Sequence, residues 1–393
     1  MKIMTLLVSI LLLTACSSQQ SNIANHSIVL PLNEELFEYG IDQVINEKQL
    51  FTLSEKQQQA FLKYHKRELS KGVKSHQIVS NYLLDYISKF TYYGKNYTAT
   101  EALSLGKGNC MSLAILTVAL AKLIDVEFDF RQVNSMPMFE KHGSLLLSSG
   151  HVQTRLFDPT YEAKEGELLF SQPAIVIDYF PDKNNIRSRY IAYDQFLSMY
   201  YQNISADAMI IGDLNLAFAN AKVAYEYDPS SVRVHNLLGV LHRRTGDLHT
   251  AEKIYQKAMQ LERENISLLN NYIVLLESQN REFEASQLKV HMNSLDDNNP
   301  YSWLEQAYVY RNNEKYELAI RYYQKVLELA PYISQAYLGL YQAYRATEKY
   351  AKAQKVLEEG LEWTHVKKER QVFKYKLYGK NNINTSSASA LEY

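Results

Sequence analysis

The feature that most constrains the fold of this chain is a strict 34-residue repeat in its C-terminal half. Alanine recurs at this step without a gap, at Ala217, Ala251, Ala285, Ala319 and Ala353. A Gly-Asp pair keeps the same register, at Gly212-Asp213 and Gly246-Asp247. A period of this length predicts a solenoid whose repeats are helix pairs, and alanine lets the two helices of a pair cross closely.

This pattern resembles the tetratricopeptide repeat family, and Pro229 and Pro331 close their units three periods apart. The register gives five helix-turn-helix units, at residues 198–231, 232–265, 266–299, 300–333 and 334–367. The resemblance implies an all-α solenoid over residues 191–379, including a C-terminal capping helix. It also implies protein partners bound through a groove.

The repeat register predicts which side chains line that groove. The second, fifth, ninth and twelfth positions of each first helix point inward, which selects Asn236, Arg243, Asn270, Tyr301, Tyr308, Arg311, Gln335 and Arg345. Amides can pair with the backbone of an extended peptide, and arginine can bind a carboxylate. We expect a peptide-binding groove, with a solvated scaffold face as the alternative.

Composition excludes several other classes of protein. The 393 residues suggest two or three domains, and 42 basic against 43 acidic residues give a net charge of -1, which argues against a nucleic-acid partner. Two cysteines exclude a disulfide framework and a four-cysteine zinc site. We expect neither a metal nor a cofactor.

The N-terminus has the layout of an export signal, with one lysine before a short apolar run at residues 1–15. Leu13-Thr14-Ala15-Cys16 resembles a bacterial lipobox, which implies that Cys16 carries lipid and that residues 16–30 form a tether. Ser17 then favours an outer-membrane lipoprotein facing the periplasm of the bacterial envelope. The alternative is a simple signal peptide or an uncleaved anchor. Residues 380–393 are expected to be a disordered tail.

Cys110 is the candidate for chemistry in the middle of the chain. Asn109 is a plausible N-cap, and Cys110 opens a helix that is apolar on every face and must therefore be buried. The positive end of the helix dipole is expected to lower the pKa of the thiol. The alternative is that Cys110 is a small apolar filler.

A nucleophilic cysteine needs a base, and His65, His76, His142 and His151 are available. His151 opens the predicted strand HVQTRLF, and Asp158 lies about 23 Å further along it, too far to orient the imidazole. Asp178 lies in a second predicted strand. An antiparallel hairpin turning at residues 162–166 would place it directly opposite His151.

Residues 45–182 resemble the transglutaminase-like cysteine superfamily, through Thr98-Ala99, Gly108-x-Cys110, His151 and Asp178. The resemblance implies an α+β, papain-like domain at residues 31–190 with a Cys-His-Asp triad. Cys110 would attack an amide or ester, His151 would move the proton and Asp178 would orient the imidazole. The expected activity is that of a peptidase, an amidase or a transamidase on a peptide or protein substrate. The alternative is a non-catalytic scaffold or assembly lipoprotein in which this domain is degenerate.

Overall fold

The computed structural model of the protein describes residues 29–38, 40, 44–87, 90, 95–142, 145–162, 172–179, 188–295, 299–364 and 366–379. The predicted signal peptide, Cys16 and the predicted tail lie outside these residues. Within them, an N-terminal helical region and a small sheet are followed by a long array of helices.

The N-terminal region contains a short 3-10 helix at Glu34–Leu36 and helices α1 (Glu47–Phe51), α2 (Glu55–Leu69), α3 (Ser75–Ile87), α4 (Ala99–Leu105) and α5 (Cys110–Lys122). Ser54 and Gln57 form the capping box of α2, as their spacing predicts. Every side chain of α5 from Cys110 to Ala121 is buried, which confirms that its apolar surface faces a core on all sides. Among the described helices none alone could span a membrane; α4 and α5 reach the required length and composition only as a pair bent by 107°.

Among the described residues, the sheet has four strands in the order β3-β2-β1-β4. They are β1 (Phe128–His142), β2 (Leu145–Phe157), β3 (Ala174–Ile177) and β4 (Ser188–Ile191), and each neighbouring pair is antiparallel. β1 and β2 form a long hairpin whose pairing shifts between Val133 and Met138. The shift divides the hairpin into a base, which carries His151, and an outer part at residues 138–149.

The helical array consists of five consecutive pairs and a final helix. The pairs are α6 (Tyr193–Ile211) with α7 (Leu214–Tyr227), α8 (Val232–Arg244) with α9 (Leu248–Leu261), α10 (Ile266–Ser278) with α11 (Glu282–Ser294), α12 (Pro300–Asn312) with α13 (Tyr316–Leu329), and α14 (Ser334–Ala346) with α15 (Tyr350–Trp363). Helix α16 (Lys367–Tyr378) follows. All five periodic alanines are buried in the second helix of their pair, which is the reason for the period.

The sheet and the first repeats share one hydrophobic core, which extends from Leu30 to Leu275. Phe196 of α6 stacks on Phe130 of β1 with ring centroids 3.8 Å apart, so packing is continuous across the predicted boundary near residue 190. A second core runs from Leu304 to Phe373 and belongs to the last two repeats and α16.

The long hairpin also reaches the helical array. β2 contacts α10, and β1 contacts α12. These are the first helices of the third and fourth repeats, which were predicted to line an open groove. The chain's own hairpin therefore lies against two of the helices that were predicted to line the groove.

Candidate functional site

The start of α5 is fixed by Gly108 and Asn109. The side chain of Asn109 accepts a hydrogen bond from the backbone N–H of Ser112 at 3.0 Å, which confirms the predicted N-cap. Gly108 has a positive φ, and a Cβ there would lie 2.6 Å from Cβ of Ser112. Only glycine fits this approach, so the G-x-C spacing holds Cys110 at the first turn.

His151 and Asp178 lie in contact on neighbouring strands. Nε2 of His151 donates a hydrogen bond to Oδ1 of Asp178 at 2.6 Å, and Nε2 of Gln153 donates to Oδ2 at 2.7 Å. Side chains of β2 thus bind both carboxylate oxygens of Asp178. Since the imidazole uses Nε2 here, Nδ1 is the nitrogen that would exchange a proton with a thiol.

The pairing that brings them together differs from the predicted register. Thr154 pairs with Ile177, so that continuing the same register places Gln153, and not His151, opposite Asp178. The prediction of direct opposition was wrong by two residues. A two-residue shift leaves each side chain on its face of the sheet, so His151 still reaches Asp178 diagonally.

Cys110 lies beside the same strand, because its thiol accepts a hydrogen bond from the backbone N–H of Val152. The residue is only 5% exposed. Burial raises the pKa of the Cys110 thiol to about 11, although backbone N–H groups at Met111 and Val152 oppose the rise. The predicted lowering of this pKa was wrong, since removing the thiolate from water outweighs the helix terminus.

Tyr179, next to Asp178, ties the site together and was not identified from the sequence. Its buried hydroxyl is 2.6 Å from Oγ1 of Thr154 on β2 and 3.1 Å from Oγ1 of Thr117 on α5. Burial raises the pKa of its phenol, so it remains neutral. The sequence feature that could have identified Tyr179 is its position directly after Asp178 in the apolar run AIVIDYF.

The other candidate bases and acids have different partners. Nζ of Lys74 lies 2.5 Å from Asp158, and this ion pair holds the pKa of Asp158 well below its usual range. Nδ1 of His76 is 3.8 Å from the same carboxylate, and His65 forms a hydrogen bond with Ser75 at 3.0 Å. The side chain of His142 lies outside the described residues.

The predicted groove residues form two groups. In the first, Nδ2 of Asn271 donates to Oδ1 of Asn236 at 3.0 Å, joining α8 to α10. Asn271 is fully buried, whereas the predicted Asn270, the preceding residue of α10, is half-buried. Arg243 lies close to the buried hydroxyl of Tyr255.

The second group joins α12 to α14. Nη1 of Arg311 donates to Oε1 of Gln342 at 2.5 Å, and the guanidinium lies 5.2 Å from the ring centroid of Tyr308. Arg345 donates to the hydroxyl of Tyr341 at 3.3 Å. Tyr301 is half-buried and Gln335 is exposed at the start of their helices. Gln342 and Tyr341 were not among the predicted residues.

The described part of the chain contains no group of three His, Cys, Asp or Glu side chains arranged to hold a metal ion.

Two segments match family models of the tetratricopeptide repeat, residues 232–265 and 300–333. The chain contains tetratricopeptide repeats. The matched bounds coincide with the second and fourth predicted units, so the prediction of these repeats is confirmed. No curated protein matches the chain.

Solved tetratricopeptide repeat structures resemble the chain over a little less than half its length. PilF of Pseudomonas aeruginosa is 21% identical, covering 47% of this chain and 85% of that chain with a TM-score of 0.32. Yeast Tom70 is 20% identical, covering 46% and 39% with a TM-score of 0.36. YrrB, described as having an unusual peptide-binding site, is 18% identical, covering 45% and 91% with a TM-score of 0.25. This likeness concerns the fold alone.

Proposed function

We propose that this chain is a protein-binding scaffold whose repeats hold an extended segment of a partner. The observation that carries the proposal is the polar and aromatic row on the first helices, in which Asn236 bonds Asn271 and Arg311 bonds Gln342. These bonds join neighbouring repeats and so keep the row in register. A solenoid that presents aligned amides, arginines and tyrosines is suited to an extended peptide.

Site-specific crosslinking tests this proposal. A photoreactive amino acid replaces Tyr308 or Arg345 in the row, and the matched control replaces Tyr190, which is 61% exposed on β4. We expect a discrete adduct with the same partner from both row positions and none from the control. The absence of adducts at the row, or an identical set from Tyr190, would contradict the proposal.

We also propose that the scaffold is a lipoprotein of the bacterial outer membrane, held by lipid on Cys16 and facing the periplasm. The support is the Leu13-Thr14-Ala15-Cys16 sequence after a short apolar run. A lipid at this position would restrict the search for partners to the membrane surface.

Cysteine acyl transfer is the second candidate function, and the 2.6 Å contact between His151 and Asp178 beside Cys110 favours it. In that mechanism the Cys110 thiolate attacks a carbonyl, and His151 passes the proton to the leaving group while Asp178 holds the ring. The backbone N–H of Cys110 would donate to the oxyanion. Water or an amine would then release the thioester.

Two properties of Cys110 place this candidate second. Its side chain is 5% exposed, which leaves little access for a polypeptide. Its pKa of about 11 keeps the thiol protonated at neutral pH, whereas a nucleophile needs the thiolate. The same arrangement therefore suits a domain that has kept the fold of an enzyme and serves as a support for the repeats.

A further inference from the structure

A short piece of the chain, which we call the N-terminal segment (Val29–Glu38), lies between the second helices of the first two repeats; it is extended on both sides of the 3-10 helix Glu34–Leu36. The backbone N–H of Asn33 donates to Nε2 of His242 at 3.1 Å, and its Nδ2 donates to Asp247 at 3.0 Å. Lys222 of α7 lies 2.6 Å from Glu34. The segment is thus held along its length as a bound peptide would be.

Apolar side chains anchor the same segment. The ring of Phe37 stacks on Phe218 with centroids 3.8 Å apart, and Leu30 and Phe37 are 6% and 8% exposed. Near the start of the segment, the carbonyl of Val29 accepts a hydrogen bond from Lys257 of α9. This kind of groove therefore recognises a segment that has two apolar anchors, backbone groups that form hydrogen bonds, and one carboxylate.

A cavity of about 730 Å³ lies at the equivalent place between α13 and α15, three repeats further along. Its lining includes Gln324, Leu327, Tyr344 and Glu359. Each of these stands 102 positions, or three periods, after a residue that contacts the N-terminal segment: Lys222, Tyr225, His242 and Lys257. The cavity is therefore the repeat-related counterpart of the occupied groove.

We propose that this cavity binds an extended segment of a partner protein that carries apolar anchors and a carboxylate, in the manner of the N-terminal segment. Tyr337, Leu340 and Tyr344 of α14 provide an apolar and aromatic wall, and Trp363 stands 44% exposed at one end. The volume is that of an ordinary ligand site. The surface is formed chiefly by second helices, so the proposal does not depend on the polar row of the first helices.

Charge explains the choice of an acidic peptide. Two lysines and two glutamates line the cavity. Glu359 lies 3.6 Å from Lys355 and Glu328 lies 3.8 Å from Lys325, whereas Lys352 has no ion pair among the described residues. Its ammonium stands 5.9 Å from the ring centroid of Tyr344, at the cavity wall. Lys352 is thus available to a carboxylate on the occupant. It lies at a different repeat position from Lys222, which binds Glu34 in the occupied groove and whose counterpart in the cavity is Gln324.

The test uses the full chain and a fluorescent peptide with the sequence of residues 29–38. The chain's own segment has an effective concentration on the order of millimolar at the first groove, so added peptide cannot compete there. We expect saturable binding by fluorescence anisotropy. Lys352→Glu should weaken it about three-fold, as loss of one exposed ion pair does, and a peptide with lysine in place of its glutamates should bind more weakly still.

A cavity-filling variant provides the matched comparison. Gln324→Trp, at an exposed position on the cavity wall, should abolish saturable binding, while Gln256→Trp, at the same repeat position on α9, should leave it unchanged. Absence of binding to the unaltered chain, or binding that persists in Gln324→Trp, would overturn the proposal. Binding that requires removal of residues 380–393 would also overturn it, because the chain's own end would then be the occupant.

Discussion

The thiol of Cys110 is subject to two opposing effects. Its place at the first turn of α5, together with the backbone N–H groups at Met111 and Val152, favours the thiolate. Enclosure by the sheet and helices favours the neutral thiol, and the outcome is a pKa of about 11. At pH 7 the thiolate fraction is consequently very small, and this is the property that separates the two candidate functions.

We predict that Cys110 is alkylated slowly by iodoacetamide at pH 7.5 and that the rate rises only as the pH approaches 11, because both burial and the raised pKa limit the thiolate. The measurement uses Cys16→Ser, which leaves Cys110 as the one thiol. The control is the triple variant Cys16→Ser, Cys110→Ala, Ser286→Cys, whose one thiol is exposed on α11. Rapid alkylation near pH 6 that disappears with His151→Ala would instead indicate a thiolate-imidazolium pair and support acyl transfer.

The ion pair of Lys74 with Asp158 should make stability depend on pH. Lys74 lowers the pKa of Asp158 in the folded state, so the stabilisation is complete above the unfolded value of about 3.9 and is lost as the pH falls through the lower folded value. Because Lys74 is 46% exposed, we expect Asp158→Asn to cost only about 1 kcal/mol at pH 7. Urea unfolding at pH 7 and below pH 4 should show this difference shrinking. A difference that stays constant would exclude the pair as its source.

At the scale of whole elements, the 34-residue period predicts most of the fold, because one small residue per repeat fixes how two helices cross. Glycine allows the same close crossing where it faces a buried tyrosine of another helix. A Cβ on Gly239 would lie 2.4 Å from Tyr255, and one on Gly339 would lie 2.2 Å from Tyr323. The sequence also predicts the buried helix α5 and its N-cap, because α5 is apolar on every face.

The sequence does not show features that depend on tertiary contacts. Asn271 was missed in favour of Asn270 because a single position turns a side chain by about 100° around a helix. The shift of two residues between His151 and Asp178 depends on how β2 and β3 pair, which periodicity does not define. The pKa of Cys110 depends on how completely other elements enclose α5. Because this enclosure is not visible in the sequence, the pKa is raised and not lowered as predicted.

We predict that contact with the long hairpin protects parts of the first helices of the third and fourth repeats, since β2 contacts α10 and β1 contacts α12. Replacing residues 134–150 by Asn-Gly would keep Val133 paired with His151 through a two-residue turn. Hydrogen exchange of α10 and α12 should become faster, whereas α14 serves as the internal control. Unchanged protection of α10 and α12 would show that the hairpin does not cover them.

At the scale of the whole molecule, a shared core joins the sheet to the first repeats, and a separate core stabilises the last two. The domain with Cys110 can therefore act as the fixed end of the array.

The anchor itself gives a prediction for cells. If Cys16 carries lipid, Cys16→Ser should abolish incorporation of labelled palmitate and release the protein from the membrane fraction, while Cys110→Ala should change neither. Palmitate incorporation that persists in Cys16→Ser would show that the Leu13-Thr14-Ala15-Cys16 sequence is not the acceptor.

The proposed scaffold works by holding a partner and not by reacting with it. The most direct test is to repeat crosslinking from position 308 in chains with and without Cys110→Ala, and to compare the adducts by mass spectrometry. Because Cys110 is buried in one core and the row on α12 and α14 belongs to the other, we expect the same adduct, of the same mass and yield, in both chains. Loss of the adduct in Cys110→Ala, or a partner fragment found as a thioester on Cys110 in the unaltered chain, would contradict the scaffold proposal and identify an enzyme.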